Sequence, residues 1–229
     1  MQILVGIGTV IAGYIVGSIP FGLLIVKMKT GKDIRQVESG RTGGTNAVRA
    51  AGFGAGLLTA VLDILKGASA VWLAQTILPQ DHIFHVLAPI GAILGHNYSV
   101  FLIDRDNDGK LRFHGGAGGA PALGGAVGLW PWMFPIVFGL GAVVWFTLGI
   151  ASITTMAIAL IVIITFAVRA SLGLQDPADI WYGVIAELLL IWALRPNIKK
   201  LFAGNERVVK FSLNGWLRAR KEARAESKK

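Results

Sequence analysis

The segment from Ser39 to Arg49 combines small, polar and basic residues that could bind an anion. Glycines such as Gly43 let the backbone approach a ligand closely, and exposed backbone N–H groups can surround a negative charge. Thr45 and Asn46 offer neutral hydrogen bonds, whereas Arg49 offers a planar two-point contact to phosphate. No Gly-Lys-Ser/Thr sequence closes the segment, so it is not a Walker loop. It predicts either a phosphate site or a flexible basic loop.

A second candidate site is split between the end of one apolar stretch, at His96 and Asn97, and the glycines that precede the next, Gly115, Gly116 and Gly118. An imidazole at this place could act as a base or as a phosphate ligand. It could equally be an interfacial histidine bonded to a backbone carbonyl. Because the glycine run opens a predicted helix, the free N–H groups of that helix would favour an anion.

The acidic stretch Asp104–Gly109 imitates the start of an EF-hand loop. Its twelfth position would be Gly115 rather than glutamate, so the bidentate calcium ligand is absent. A hairpin that turns at 108–109, with arms at 101–103 and 111–113, explains the stretch as well. We expect the hairpin and no metal ion.

Three charged residues interrupt the apolar stretches. Asp63 and Lys66 are three residues apart, so they share one helical face and can neutralise each other. Charges at membrane depth usually face a cavity or a partner, so the pair is either a structural ion pair or part of a site. Glu187 has no partner that the sequence reveals.

The polar end of the chain, 195–229, begins with a basic cluster that is typical of a stop-transfer signal. That signal accounts for Lys199 but not for Asn197 or Glu206. Farther on, apolar residues alternate with basic ones, which predicts a segment lying on anionic headgroups. The apolar residues are Val208, Val209, Phe211, Leu213, Trp216 and Leu217.

The elements that position these residues must be membrane helices. Of the 229 residues, 54% are hydrophobic and 15% are charged, and the mean hydropathy is +0.62. Soluble domains carry about 25% charged residues, and disordered chains are far less apolar. The chain contains no cysteine, which excludes disulfides, thiol nucleophiles and cysteine metal sites. We expect an all-α integral membrane protein in which residues 1–229 form one domain.

Counting apolar stretches gives about seven short spans at ~20 residues or fewer each. Met1 leads directly into an apolar run without a basic region or cleavage site, so we expect a retained first helix. If 120–149 is re-entrant, the count falls to five; both counts place the two termini on opposite sides. The predicted spans are 3–26, 53–78, 83–103, 120–131, 134–149, 151–168 and 180–194.

The formal charge of +9 is distributed unevenly. In the seven-span arrangement 20 of the 22 basic residues fall on one face, and only Lys66 and Arg169 fall elsewhere. The positive-inside rule makes that face cytoplasmic and places the N-terminus outside. From residue 195 onward the chain has eleven basic and three acidic residues, which indicates topology and lipid contact rather than nucleic acid.

Taken in order, these segments resemble the bacterial acyl-phosphate-dependent glycerol-3-phosphate acyltransferases, the PlsY family. The resemblance runs through nearly the whole chain on one membrane face. Its parts are Gly17-Ser18-Ile19-Pro20-Phe21-Gly22, Ser39–Arg49, Asp63-Ile64-Leu65-Lys66-Gly67, Gly95-His96-Asn97, Gly115-Gly116-Ala117-Gly118, Ala151-Ser152-Ile153, Asn197-Ile198, Leu201, Gly204 and Glu206.

The resemblance implies transfer of a fatty acyl group from acyl phosphate to the 1-hydroxyl of glycerol 3-phosphate. The site would face the cytoplasm of a bacterial plasma membrane, with membrane lipid as its surroundings. We expect a monomer that uses no cofactor. The implied catalytic residues are Ser39, Arg49 and His96; the substrate-binding residues are Gly43, Thr45, Asn46, Asn97, Gly115, Gly116, Gly118, Asn197 and Lys199; the lining residues are Asp63, Lys66 and Glu206.

The chain departs from the family pattern at several positions. Histidine and alanine stand at His114 and Ala117, where the family has lysines. Leu194 stands where a histidine is expected, and 104–112 is an insertion. Cations that could replace the lysines are Arg41, Lys110, Arg112 and a protonated His114. Two alternatives follow: a relative that uses another acceptor or is impaired, and a non-enzymatic carrier of phosphorylated metabolites.

The reaction expected from the resemblance is direct attack of a glycerol hydroxyl on the acyl-phosphate carbonyl. Two positioned phosphates and a stabilised oxyanion would supply most of the rate. Either His96 or the acyl phosphate takes the hydroxyl proton. We favour the substrate, because no carboxylate near His96 in the sequence is evident as its orienting partner. Ser39 is the alternative nucleophile.

Overall fold

The structure is a computed structural model that describes residues 1–105, 108–209 and 212–226, the last five by their backbone alone. Asp106 and Asn107 of the acidic stretch and Phe211 of the tail lie outside the described residues. The helices are α1 (Gln2–Ser18), α2 (Phe21–Thr30), α3 (Gly44–Ala51), α4 (Phe53–Ile77), α5 (His82–Asn97), α6 (Gly119–Leu129), α7 (Met133–Leu148), α8 (Ala151–Ser171), α9 (Ala178–Phe202) and α10 (Leu213–Glu226); the strands are β1 (Ile103–Arg105) and β2 (Leu111–Phe113).

Three segments of the described chain are long and apolar enough to cross a membrane: Gln2–Thr30, Phe53–Ile77 and Ala151–Ser171. The first of them contains both α1 and α2. The predicted span 3–26 falls within this segment, but it is two helices rather than one, because the helix breaks at Pro20. Proline has no N–H to continue the helical hydrogen bonds.

Two predicted ends of spans are wrong. The span expected over 83–103 ends as α5 at Asn97. Ser99 then caps a separate turn by accepting a hydrogen bond from Phe101 N at 3.2 Å. The span expected to end at 194 continues as α9 to Phe202, through Pro196. The carbonyl that this proline leaves unpaired, Trp192 O, instead accepts a hydrogen bond from Arg195 Nη1 at 3.2 Å.

The predicted hairpin is present as an antiparallel pair, with Ile103 opposite Phe113 and Arg105 opposite Leu111. Its second arm lies where the sequence placed it. Its first arm is 103–105 rather than 101–103, because Val100–Leu102 form the short turn that follows α5. The fold is therefore helical apart from this ribbon in the part of the chain that the structure describes.

Close helix contacts depend on glycine. A Cβ at Gly17 of α1 would overlap the backbone of Ala92 in α5, and one at Gly95 of α5 would overlap Tyr14 O in α1. The same device brings α4 and α6 together, where Gly67 lies against Pro121 O. The largest buried cluster lies among α5, α6, α7, α8 and α9 and includes Tyr182.

Helix α6 is short. Its 11 residues rise ~16 Å, about half of the ~30 Å hydrocarbon thickness of a bilayer. Its last turn is followed by Trp130, whose ring lies 3.8 Å from the Arg169 guanidinium at the end of α8. Its first turn, at Pro121, lies beside Gly67 in the middle of α4. The glycine-rich loop before α6 is therefore recessed among the helices.

Candidate functional site

The loop between α2 and α3 is held in shape by its own polar side chains. Asp33 accepts a hydrogen bond from Arg35 N at 2.9 Å, and its carboxylate pairs with the Arg35 guanidinium at 2.7 Å. The Arg35 side chain holds the pKa of the Asp33 carboxyl below its usual value, against a smaller opposing effect of burial. At neutral pH this loop is therefore fixed by an ionised carboxylate.

Asn46 closes the same loop from the first turns of α3. Its Nδ2 group lies within hydrogen-bond distance of three carbonyl oxygens, Ile34 O at 3.2 Å and Val37 O and Arg41 O at 2.9 Å each. The side chain is buried, and its Oδ1 has no partner among the described residues. The Nδ2 group of Asn46, a predicted substrate-binding residue, therefore helps to hold the loop in shape.

The structure brings the two predicted glycine segments together. Thr42 N donates to Gly115 O at 3.1 Å, which joins the first loop to the glycine loop. Gly116 N donates to His96 O at 2.8 Å, which fixes the glycine loop to the end of α5. A Cβ at Gly116 would overlap the His96 ring at Nε2. The loop can lie over the imidazole only because this residue is glycine.

Three buried polar side chains, those of Asp63, Lys66 and His96, lie beneath the glycine loop. Lys66 Nζ is 2.9 Å from Asp63 Oδ1, and it also donates to Ile19 O, at the break between α1 and α2, at 3.1 Å. His96 Nδ1 lies 3.6 Å from the same Asp63 oxygen. Asp63 and Lys66 therefore pair as their spacing allows, and their role in lining the site stays a prediction. Asp63 is the carboxylate beside His96, but at 3.6 Å its oxygen lies beyond hydrogen-bond distance of Nδ1, so it does not orient the ring by a hydrogen bond.

Asn97 is the most unusual polar side chain of the site. It is 5% exposed, and neither its Oδ1 nor its Nδ2 has a hydrogen-bond partner among the described residues. A Cβ at Gly118 would come within 2.9 Å of Asn97 Oδ1 and 3.1 Å of Nδ2. Gly118 has φ +86° and caps α6. A free amide thus lies at the N-terminus of a helix, where backbone N–H groups lack partners.

A separate cluster of polar side chains joins α8, α9 and the segment after α9. Glu206 Oε1 accepts hydrogen bonds from Ser152 Oγ at 3.2 Å and from Asn197 Nδ2 at 2.9 Å. Arg41 reaches α9 from the first loop, where its Nη2 donates to Ala193 O at 2.7 Å. Burial lowers the pKa of the Arg41 guanidinium, and the nearby Glu206 carboxylate opposes that effect.

The sequence indicates Arg41 only as a replacement cation and does not single out Ser152 for a role. Ser152 lies in one of the segments that resemble the family, and its burial at 2% is the structural sign of its role. The sequence gives no sign that Arg41 bonds to Ala193, because the two residues are 152 positions apart in the chain.

The remaining predicted residues lie on the open side of the loops. Ser39, Thr45, Arg49 and Lys199 are exposed. Glu38, next to Ser39, pairs with Arg207 at 2.9 Å. The hydrogen bond from Arg207 lowers the pKa of the Glu38 carboxyl, and the charge of Arg49 adds a smaller effect in the same direction.

One candidate replacement for the family lysines is already paired. His114 Nε2 lies 2.9 Å from Asp104 Oδ2 in the inserted hairpin. Asp104 also stands opposite Arg112 in the strand register. In the described chain, no group of three or more histidine, aspartate or glutamate side chains is arranged to hold a metal ion.

Fold and site together define an integral membrane protein whose buried polar groups converge beneath a glycine-rich loop. The family profile described as glycerol-3-phosphate acyltransferase matches residues 7–204. The chain belongs to the glycerol-3-phosphate acyltransferase family.

Relatives with this name align in sequence with the chain over most of their own length. The chain is 37% identical over 212 residues to glycerol-3-phosphate acyltransferase 3 of Dehalococcoides mccartyi strain CBDB1, covering 86% of this chain and 93% of that protein. It is 37% identical over 205 residues to a glycerol-3-phosphate acyltransferase of Thermus thermophilus, covering 87% of this chain and 92% of that protein.

Solved structures agree as well. The crystal structure of PlsY (YgiH), an integral membrane glycerol 3-phosphate acyltransferase in its glycerol 3-phosphate form, superposes with a TM-score of 0.76 at 29% identity. The match covers 89% of this chain and 95% of that one. Its lysophosphatidic acid form superposes with a TM-score of 0.74 at 27% identity, covering 90% and 96%.

Proposed function

We propose that this protein transfers a fatty acyl group from acyl phosphate to the 1-hydroxyl of glycerol 3-phosphate, giving lysophosphatidate and phosphate. Relatives named glycerol-3-phosphate acyltransferase and a solved relative in a glycerol 3-phosphate form support the reaction. The observation in this chain that carries the proposal is the unpartnered amide of Asn97 at the start of α6.

The start of α6 suits a phosphate for two reasons. Backbone N–H groups of a helix N-terminus point at an anion, and the helix dipole favours negative charge there. Asn97 adds one donor and one acceptor that have no partner among the described residues. We assign the phosphate of glycerol 3-phosphate to Gly115, Gly116 and Gly118, with Asn97 beside it.

The open side of the first loop suits the second phosphorylated substrate. Ser39, Gly43 and Thr45 border this loop, and Arg49 is an exposed guanidinium on α3. A guanidinium can make a bidentate contact with phosphate. We assign the acyl phosphate to this side, with Asn197 and Lys199 closing the site.

In the proposed reaction the 1-hydroxyl oxygen attacks the carbonyl carbon of the acyl phosphate. The bond from that carbon to the phosphate oxygen breaks, and the hydroxyl proton passes to the departing phosphate. Positioning of the two phosphates and stabilisation of the developing oxyanion lower the barrier. No covalent enzyme intermediate is needed, so a trapped acyl-Ser39 adduct would contradict this route.

The burial of His96 supports the substrate as proton acceptor. Its side chain is 5% exposed and lies beneath Gly116, and the neighbouring carboxylate oxygen, Asp63 Oδ1 at 3.6 Å, is beyond hydrogen-bond distance. We expect His96→Gln to retain activity within about tenfold of wild type, because a required general base contributes about 10²–10⁴-fold. Loss of about 10²-fold or more in a variant with an unchanged melting temperature would instead assign the proton to His96.

We further propose that the site faces the cytoplasm, that the chain spans the membrane seven times with its N-terminus outside, and that it works as a monomer without a cofactor. The basic residues gathered on one side support this orientation. They also give no reason to invoke nucleic acid, because the membrane surface accounts for them.

The deciding experiment uses the purified protein with an acyl phosphate and measures released phosphate and the acylated product. Glycerol 3-phosphate is compared with glycerol and with other phosphorylated alcohols. We expect turnover with glycerol 3-phosphate above every other acceptor. A preference for another alcohol would make the protein an acyltransferase of different specificity. Absence of transfer to every acceptor, with glycerol 3-phosphate uptake into proteoliposomes, would make it a carrier.

A further inference from the structure

Helix α10 lies beyond residues 7–204, the part of the chain that the family profile matches. Its apolar side chains point away from the rest of the protein. Leu213, Trp216 and Leu217 are 54%, 51% and 52% exposed, whereas Gly215 is buried. The three apolar residues are spaced i, i+3 and i+4, so they lie on one face. Among the residues that the structure describes, nothing covers the exposed half of this face.

The start of α10 is fixed to the turn between α7 and α8. Val209 N donates to Gly149 O at 2.8 Å, and Asn214 Nδ2 donates to Leu148 O at 3.1 Å. A Cβ at Gly149 would overlap Ser212 Oγ. These contacts hold α10 against the end of α7. The position of its apolar face is thus set by the bundle.

The surroundings of that face match a lipid surface. Arg218 and Lys221 are exposed on the rest of the helix, and the Arg220 guanidinium lies 4.8 Å from the Trp216 ring centre. Arginine and lysine can extend along apolar surface while their charges reach polar groups. Val143 of α7, the helix that α10 contacts, is 60% exposed, so both helices present apolar side chains outside the bundle.

We propose that α10 lies on the anionic headgroup surface of the bilayer that holds the protein. Leu213, Trp216 and Leu217 enter the boundary between headgroups and acyl chains, and the basic side chains bind lipid phosphates. Such helices need both buried apolar area and charge attraction. The eleven basic and three acidic residues from 195 onward supply the charge.

The spans keep this helix next to the bilayer at all times. A helix tethered in this way meets its binding surface at high effective concentration, so three apolar side chains suffice where a free helix would dissociate. A soluble partner would have no such advantage. A second copy in the same bilayer would share it, but its net charge of +9 offers the basic side chains of α10 no charge complement comparable to that of anionic lipid.

The chain contains no cysteine, so a single introduced thiol reports one position. We would label Leu217→Cys with an environment-sensitive fluorophore and compare it with Arg218→Cys, which lies about 100° around the helix, off the apolar face. The full chain is placed at one copy per nanodisc, in phosphatidylcholine alone or with phosphatidylglycerol. We expect a blue shift and protection from aqueous quencher only for position 217, and larger in the anionic discs.

Replacing Arg218, Arg220 and Lys221 together by glutamine, in the Leu217→Cys background, should remove most of the difference between the two lipids. Equal exposure of positions 217 and 218 in both lipids would overturn the proposal. So would equal protection of 217 in both lipids. Protection that appears only with two copies per disc would assign the face to a second chain. The readout is fluorescence, so the result is independent of acyltransferase activity.

Discussion

The amide of Asn97 should weaken the folded protein and strengthen substrate binding. A buried polar group without a partner costs about 1–3 kcal/mol, and an apolar side chain of similar size avoids that cost. We therefore expect Asn97→Leu to raise the free energy of unfolding by about that amount. Thermal unfolding with and without glycerol 3-phosphate measures both effects: the variant should melt higher but should no longer be stabilised by the ligand. A variant that melts lower, or keeps its ligand shift, contradicts the assignment.

Gly116 permits the contact between the glycine loop and the imidazole of His96. In Gly116→Ala the new Cβ overlaps the ring, so the loop must move. Displacement of a binding group by about 1 Å can cost 10²-fold in rate, and we expect a loss of about that size in kcat/KM for glycerol 3-phosphate.

The matched control is Gly139→Ala in α7, where a Cβ meets nothing within 4 Å. This variant should keep wild-type activity and melt no lower than wild type, because alanine favours a helix over glycine by about 1 kcal/mol. Full activity of Gly116→Ala would show that the loop relaxes without disturbing the substrate.

At the scale of elements, Glu206 joins the ends of α8 and α9. Glu206→Ala leaves Ser152 Oγ and Asn197 Nδ2 without their acceptor. We expect it to lower the free energy of unfolding by about 1–3 kcal/mol and to reduce activity about tenfold or more, because Asn197 loses its orientation.

Glu206→Gln is the conservative partner, because the amide oxygen can accept both hydrogen bonds. We expect it to restore stability and most activity. If Glu206→Gln is as impaired as Glu206→Ala, the charge opposite Arg41, rather than hydrogen bonding, is what the site requires.

The sequence predicted the boundaries of helices well where proline or glycine ends the helix. Proline and glycine at Pro131 and Gly149 separate α6, α7 and α8 in the structure as they did in the sequence. The sequence predicted boundaries wrongly where a side chain or a distant group supplied the hydrogen bond that the backbone could not make. The helix continues through Pro196 because Arg195 bonds the freed carbonyl, and no periodicity reports such a bond.

The site shows the same division. The resemblance predicted that Ser39–Arg49, His96 and the glycine loop lie together, and the hydrogen bonds from Thr42 N to Gly115 O and from Gly116 N to His96 O join these segments. The contact between Asp63 and His96 needed the packing of α4 against α5. Likewise, Arg41 finds its acceptor on α9 only after the whole bundle has assembled.

At the scale of the whole molecule, the proposed seven spans predict which side each loop occupies. In the cysteine-free background, Lys32→Cys should react with a membrane-impermeant thiol reagent only in inside-out vesicles. Gln80→Cys and Trp132→Cys should react only in right-side-out vesicles. All three residues are exposed in the structure.

Trp132 separates the two span counts. If α6 and α7 form a re-entrant pair, a cysteine at this position is not reached from outside, whereas Gln80→Cys still is. Reaction of Lys32→Cys and Gln80→Cys from the same side would exclude both arrangements.

The shortness of α6 has a consequence for how the product of the proposed reaction, a lipid with one acyl chain, leaves the site. In the proposed seven-span arrangement this helix crosses the layer although it is only about half as long as the hydrocarbon is thick, which would place the glycine loop level with the acyl chains of the neighbouring lipids. An ester formed there already has its tail in an oily environment, where each methylene is worth about 0.8 kcal/mol. Sideways escape between helices therefore avoids the cost of passing that tail through water, and only the small ionic coproduct has to return to the aqueous side.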